Sequence, residues 1–379
     1  MEDLDTLVLR TAQAWHLAGD AVVLVTVART WGSSPRPPGS LMAIHAQGHT
    51  VGSVSGGCIE DDLVHRIREG GLQAMSTNKT PTVLRYGISA DEAHRFGLPC
   101  GGTVELVLEP ISARSRIDEL LAACQQRRCT ERVLDLHTGH VVLNEGRRDG
   151  VPHLDEQQLT TFLGPQVRLI VIGAGDLSRF MCQIALSLGF EVTVCDPRED
   201  QSMGWKLDGI TLSREMPDDL IQRLQPDART AVVALTHDPK LDDLALIDAL
   251  QSQAFYVGAI GSRRNSALRH ARLHEHFDLP EETLQKLHGP AGLCIGSKTP
   301  AEIALSIMAE VVAVKNGAAL KKALPMAQAH AHAHAHAHAH AHAHAHAEAD
   351  AIACGASASL EQPAPKITKG GAATPTAKR

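Results

Sequence analysis

Residues 167–196 constrain this chain more than any other stretch. Val167-Arg168-Leu169-Ile170-Val171-Ile172 is a short β-branched apolar run of the kind that fills a parallel strand buried on both faces. It passes into Gly173-Ala174-Gly175-Asp176-Leu177-Ser178, after which apolar residues recur at helical spacing to Leu188. Gly189 ends that helix, and Phe190-Glu191-Val192-Thr193-Val194-Cys195 is a second strand that closes on Asp196. Strand, glycine turn, helix, strand and acid in this order is the dinucleotide-binding arrangement. Gly173 and Gly175 permit the tight turn and close backbone approach, Ser178 stands at the third glycine position, and Asp196 is spaced to grip a ribose. The pattern speaks for fold before ligand, because such folds keep the turn while changing what they bind.

The same pattern continues in strands at residues 230–235 and 254–258, with helical periodicity over 241–250 between them. A closing helix runs to Val314, with Thr299 as N-cap, Pro300 at its first position and Gly317 beyond its end. Residues 166–320 therefore read as a Rossmann-like domain. Residues 1–150 read as a mixed domain, with strands at 21–30, 41–46, 50–54 and 103–109, helices at 59–68 and 114–128, and a hairpin over 132–143 turning at Thr138-Gly139-His140. The fold class is α/β: a mixed N-terminal domain, a parallel-sheet domain and a tail over 321–379. In that tail Ala and His alternate from Ala329 to Ala347, followed by Ser, Pro, Gly, Ala and Lys. With almost no large apolar side chain to offset its ordering entropy, the tail is expected to be disordered. Its imidazoles, His330, His332, His334, His336, His338, His340, His342, His344 and His346, can bind Ni²⁺, Cu²⁺ or Zn²⁺; a repeat tolerated outside the fold reads as well.

The chain of 379 residues has a formal charge of −7 and only 3% aromatic residues, which argues against a nucleic-acid binder. From Lys321 onward six basic side chains stand against three acidic ones, so the tail carries +3 and the remainder −10. Met1-Glu2-Asp3-Leu4-Asp5 has no secretory character, no run of 18 apolar residues would span a membrane, and the eight Cys follow no framework spacing. A cytoplasmic protein with reduced thiols is the expectation.

Three Gly-rich loops of the first half offer chemistry. Trp31-Gly32-Ser33-Ser34-Pro35-Arg36-Pro37-Pro38-Gly39 is stiffened by proline and holds Arg36 as its only charge. Gly52-Ser53-Val54-Ser55-Gly56-Gly57-Cys58-Ile59-Glu60 runs directly into a helix, and the N–H groups of such a helix start make an anion pocket. Cys58 stands at the positive helix end, which favours the thiolate, a soft metal ligand. In Gly97-Leu98-Pro99-Cys100-Gly101-Gly102 a second Cys sits in a Gly-rich turn. The alternative for Gly-Gly-Cys is a packed turn with Cys as a small hydrophobe. In the second half, His237 and Asp238 follow a strand and could hold a metal, relay a proton or cap the next helix. Gly258-Ala259-Ile260-Gly261-Ser262-Arg263-Arg264 is another anion-type turn, with guanidiniums beside it. The turn leading through Gly292-Leu293-Cys294-Ile295-Gly296 is similar.

Through Gly32-Ser33-Ser34-Pro35-Arg36, the segment Gly52 to Glu60 and Cys100-Gly101-Gly102, the chain resembles the XdhC/CoxI family, accessory factors of molybdenum hydroxylases such as xanthine dehydrogenase. The resemblance continues through Gly173-Ala174-Gly175, Thr236-His237-Asp238, Gly258 to Ser262 and Ile295-Gly296 to Glu310. It covers nearly all of 1–320, excludes the tail, and is broken at Cys294, where an acidic or other polar residue is expected. It implies a chaperone that receives molybdenum cofactor in its molybdopterin form, a pterin with a phosphate and a Mo-chelating dithiolene. Such a chaperone supports sulfuration with a cysteine desulfurase and delivers the cofactor to an apo-hydroxylase. On that reading Arg36 with Ser55, Gly56 and Gly57 holds the phosphate, Cys58 faces the metal, Glu60 belongs to the same motif, and Cys100, Gly101 and Gly102 form the second candidate contact.

Two other readings stand beside this one. An NAD(P)-dependent oxidoreductase would use Gly173, Gly175 and Asp196, although no Tyr–Lys pair accompanies the fingerprint. A metal-storage protein would work through the His tail. A homodimer through the long apolar closing helix is compatible with any of them.

Overall fold

Two long strands, β1 (Val22–Trp31) and β5 (Thr103–Pro110), pair antiparallel from Val23↔Pro110 to Trp31↔Thr103, with a bulge between Val27 and Arg29. They form the middle of a five-stranded sheet, order β3-β2-β1-β5-β4, with β2 (Leu41–His45), β3 (Thr50–Gly52) and β4 (Thr82–Tyr86). This computed structural model describes residues 3–32, 36–70, 80–87, 103–147, 150–236 and 238–318, with the side chains of Cys58 and Arg68 outside the description. Val23, Val25, Val27, Leu106 and Leu108 face one way, onto Ile59, Leu63 and Ile67 of α2 (Cys58–Gly70). Val22 and Leu24 face the other way, onto Val8, Leu9 and Ala12 of α1 (Leu4–Leu17). The sequence reading assigned no helix to 4–17. The acids taken there only as charge include Asp3, which caps α1 by accepting from the Thr6 N–H at 3.0 Å.

Residues 114–128 do not form the single helix expected. A short 3-10 turn at Ala113–Ser115 ends at Arg116, whose left-handed backbone (φ 50) starts α3 (Ile117–Gln125) in a new direction. The strand expected over 50–54 stops at Gly52, because the Val54 and Ser55 N–H groups turn inward to a carboxylate. The hairpin is present as β6 (Thr130–Asp135) and β7 (Val141–Glu145). Residues between 150 and 166 supply β8 (His153–Leu154) and β9 (Gln158–Leu163), completing a four-stranded sheet, order β7-β6-β9-β8. Its Leu134, Val141, Leu154 and Leu159 pack on Ala28 and Val107 of the larger sheet.

The second half is the parallel sheet foreseen, order β12-β11-β10-β13-β14-β15. Its strands are β10 (Arg168–Ile172), β11 (Glu191–Cys195), β12 (Ile210–Ser213), β13 (Thr230–Ala234), β14 (Tyr256–Ala259) and β15 (Leu287–His288). Strand order reverses between β10 and β13, the topological switch point of a doubly wound fold. Leu169, Val171 and Val233 face α4 (Asp176–Ser187) and α8 (Pro300–Lys315). Ile170, Ile172 and Val232 face α5 (Pro217–Leu224), α6 (Pro239–Gln251) and α7 (Arg263–Phe277). Each such Val, Leu or Ile contributes about 1.5–3 kcal/mol by leaving water. Cys182 and Cys195 are core residues, and burial pushes both thiols up to about 12.

Both halves belong to one unit, Met1–Leu320. Arg127, also left-handed (φ 58), reaches across: its Nε and Nη2 donate to Asp227 at 2.6 and 3.1 Å, and its Nη1 donates to the Gln166 carbonyl at 3.3 Å. No helix among the described residues is long and apolar enough to cross a membrane. Under the smaller sheet Arg132 and Glu109, 3% and 2% exposed, pair at 2.7 Å. Glu109→Ala leaves that guanidinium buried without its carboxylate and is expected to cost about 3–5 kcal/mol, read by urea titration. A loss below about 1 kcal/mol would show that the pair behaves as a surface one.

Candidate functional site

Antiparallel alternation sends the ends of β1, β3 and β4 and the starts of β2 and β5 to the same end of the five-stranded sheet. The registers Thr26↔Leu41, Met42↔Gly52, Trp31↔Thr103 and Tyr86↔Val104 fix this. The segments 32–40, 53–57 and 87–102 therefore leave from one rim, and these contain the three Gly-rich loops singled out in the sequence. Arg36 Nε donates to the Ser53 carbonyl at 3.2 Å, tying the first segment to the second. Thr103 Oγ1 donates to the Gly87 carbonyl at 3.0 Å and closes the base of the third. The backbone puts Cys58 at the first residue of α2, beside this rim. Its side chain lies outside the described residues, as do Cys100, Gly101, Gly102, His237 and the nine tail imidazoles.

The anion pocket at Ser55, Gly56 and Gly57 differs from expectation, because the chain supplies its own anion. Glu60 Oε1 accepts from the N–H groups of Val54 (2.9 Å), Ser55 (2.8 Å) and Gly56 (2.9 Å) and from the Ser53 hydroxyl (2.7 Å). Its Oε2 accepts from the Gly57 N–H at 2.9 Å and from the Ser55 hydroxyl. Burial alone would raise this carboxyl, but the donors, led by Ser55, outweigh it and hold the group far below the usual carboxylate range. The donors read as a phosphate cradle are thus engaged within the chain. A sequence signal for this existed: Glu60 is the third residue of α2, from which a Glu side chain folds back to the N-cap N–H.

Near Arg36 lies a group the sequence reading missed. Burial, and then the neighbouring Asp3, raise the Asp5 carboxyl to about 6, while Arg36 and Arg229 oppose the shift.

In the second half Asp196 is fully buried. Its Oδ2 accepts from the Ala174 N–H and from Arg198 Nη2, both at 2.8 Å, and its Oδ1 accepts from the Arg198 N–H and Nε. Burial would raise it, but Arg198 and the Ala174 N–H bring it below its ordinary value. The acid expected to grip a ribose thus ties the end of β11 to the Gly173–Gly175 turn. Asp238 is a helix cap, accepting from the Lys240 N–H at 2.9 Å. Arg263 is exposed at the first position of α7. Two buried acids that were not singled out as site residues serve the loops here. Asp242 accepts from the Thr236 N–H and hydroxyl and pairs with Arg269 at 3.0 Å. Glu310 accepts from Tyr256 Oη at 2.6 Å and from the Gly292 N–H at 2.7 Å, and pairs with His288 at 3.1 Å. Those bonds to Glu310 and Ser306 Oγ on the Leu293 carbonyl pin the loop that presents exposed Cys294. No group of three or more His, Cys, Asp or Glu among the described residues is placed to hold a metal ion.

Two family descriptions match in this domain order: "XdhC and CoxI family" over residues 15–87 and "XdhC Rossmann domain" over 169–311, together more than half the chain. The chain belongs to the XdhC and CoxI family. The "Molybdenum cofactor insertion chaperone PaoD" of Escherichia coli is 28% identical over 309 residues, covering 81% of this chain and 88% of that one. A probable xanthine dehydrogenase subunit of Bacillus subtilis is 24% identical over 331 residues, covering 79% and 95%. The crystal structure of a xanthine dehydrogenase from Bacillus halodurans shares the fold at a TM-score of 0.66 and 24% identity, covering 85% of this chain and 98% of that one.

The two displaced carboxyls of this region should respond to pH with opposite sign. Glu60→Gln should lower stability by about 2 kcal/mol or more, since bonds to a charged acceptor are lost. Because the native carboxyl titrates below its ordinary 4.5, the deficit should be complete above pH 4.5 and shrink as the pH falls below it. Thermal unfolding across pH reads this, and a pH-independent deficit would show that the charge is not the cause. For Asp5, the folded value of about 6 exceeds 3.8, so the native chain should lose stability as the pH rises through that window. Asp5→Asn should match the native chain at pH 3.8 and exceed it above about pH 6.

Proposed function

We propose that this chain binds molybdenum cofactor as cargo and delivers it to an apo molybdenum hydroxylase of the xanthine dehydrogenase kind. The observation that carries the reading is that the strand ends flanking the three Gly-rich segments, together with Arg36 and the start of α2, lie at one end of the five-stranded sheet. The names of the two relatives, a molybdenum cofactor insertion chaperone and a probable xanthine dehydrogenase subunit, support it. Since Glu60 already fills the 53–57 turn, the turn acts as a rigid mount that presents Cys58. Arg36 and the Cys100-Gly101-Gly102 segment are then the candidates to meet the cargo's phosphate and dithiolene side. A cysteine desulfurase is the partner that supplies sulfur while the cofactor is held. The chain's own residues bind, orient and shield; the chemistry belongs to the cargo and its client.

Engagement of Asp196 by Ala174 and Arg198 weighs against the rival oxidoreductase reading, because a ribose would have to displace the partners of a fully buried carboxylate.

The test is loading of the purified full chain with molybdenum cofactor, followed by transfer to an apo-hydroxylase. The native chain should co-elute with molybdenum and pterin and restore client activity, and Cys58→Ala should be deficient in both. Undiminished loading and activation by Cys58→Ala would remove Cys58 from the site. A native chain that binds no pterin and turns over a nicotinamide substrate would overturn the whole reading.

A further inference from the structure

Along β1, Val23, Val25 and Val27 face α2, and Val27 pairs with Leu106 in the core under that helix. The bulge between Val27 and Arg29 breaks this alternation. Ala28 packs with Val107 against the four-stranded sheet, and Arg29 pairs with Glu105, two residues before Val107 and therefore on the same face. Arg29 and Trp31 are thus re-aimed to the face that α2 does not cover, which is how bulges serve sites at sheet ends. From β4, Arg85 pairs with Glu105 on its other side, so Arg29, Glu105 and Arg85 form one row across three strands. Trp31 stands beyond that row at the end of β1, where the first Gly-rich loop leaves, and its pair Thr103 follows the third.

Glu105 is 5% exposed and anchors the row. Its Oε1 accepts from Arg85 Nη2 at 2.7 Å, and its Oε2 lies 3.7 Å from Arg29 Nη1. Arg29 Nη2 donates to the Leu154 carbonyl of β8. A buried carboxylate committed to a guanidinium that is itself 50% exposed adds little stability, but it fixes where that guanidinium points. Arg85 lies over the Trp31 ring, 5.5 Å from its centroid. Trp31 is 44% exposed, whereas Trp205 is buried and donates to the Gly175 carbonyl, and Trp15 packs edge-on to His45. The Trp31 indole N–H and the Arg85 Nε and Nη1 groups bond to nothing among the described residues. An exposed indole beside a fixed guanidinium, with these free groups all donors, matches a planar ring that carries acceptors and negative charge.

We infer that Trp31 and Arg85 form the stacking subsite for the pterin ring of the cargo. The inference rests on the cargo reading proposed above and adds to it the residues that recognise the ring. The pterin stacks with the indole–guanidinium pair, and its carbonyl and ring nitrogens accept from the free N–H groups. Glu105 is a positioning residue that holds Arg85 in place.

The test uses the purified full chain and two anionic planar probes, a pterin bearing a carboxylate arm and guanosine monophosphate, read by quenching of indole emission and by calorimetry. The pterin should quench the exposed indole and bind more tightly than the nucleotide. Trp31→Ala and Arg85→Gln should each weaken its binding by about tenfold, in the range of one aromatic stack. Trp31→Phe, which keeps a ring, should restore most of that loss. Because Trp31 is exposed, Trp31→Ala should unfold at the native temperature, which separates lost binding from lost folding. Loading with molybdenum cofactor, read as bound molybdenum and pterin, should fall in the same two variants. If both variants bind the probe and load the cofactor as the native chain does, the inference is overturned and the cargo reading stands. If the native chain takes up neither pterin nor cofactor, both are overturned. Tighter binding of the nucleotide would overturn the assignment to a pterin.

Discussion

One carboxylate organises the N-terminal rim. Glu60 gathers the N–H groups of residues 54–57 and the hydroxyls of Ser53 and Ser55 around two oxygens. A turn whose donors converge on one half-buried anion has a single low-energy shape, so the exit of β3 and the entry of α2 are fixed together. Arg36 joins this frame through the Ser53 carbonyl. The backbone position of Cys58, one residue beyond the turn, follows from that frame.

The same device recurs and then stops. At α8, Thr299 accepts from the Glu302 N–H while the Glu302 side chain accepts from Lys298 and Thr299, so this helix also begins on an internal carboxylate. At α7 the corresponding third residue is Asn265, and the two before it are Arg263 and Arg264. A Gly-rich turn before a helix is therefore no ligand site in itself. Whether the third helical residue brings an anion decides whether the turn closes on itself, which is a difference of one side chain.

That difference marks what the sequence could and could not reveal. Strands buried on both faces write themselves as continuous β-branched runs, so β10, β11, β13 and β14 were legible, as were the Thr299 cap and Pro300. The three loops were legible as glycine, but the return of their flanking strand ends to one rim depends on β5 inserting between β1 and β4, and β1 residues such as Trp31 and Val23 pair with Thr103 and Pro110, far along the chain. Arg116 and Arg127 take left-handed conformations that glycine enters at lower cost. Each compensates with a bidentate partner, Glu119 for Arg116 and Asp227 for Arg127. The second partner is 100 residues away, beyond any local pattern.

The commitment of the acids bears on what kind of protein this is. General acid–base catalysis needs a group whose proton moves near the working pH. Glu60, Asp196 and Glu310 each stand at a Gly-rich turn where chemistry was sought, and each is held below its ordinary value by several donors that outweigh burial. Tyr256, which donates to Glu310, is driven the other way, up, by burial and by that carboxylate. Groups so displaced keep their protonation state through the neutral range and act as fixed charges that shape loops. Proton transfer at these three turns would need at least one of the three groups released, whereas the carrier reading proposed above leaves all three committed to loop geometry.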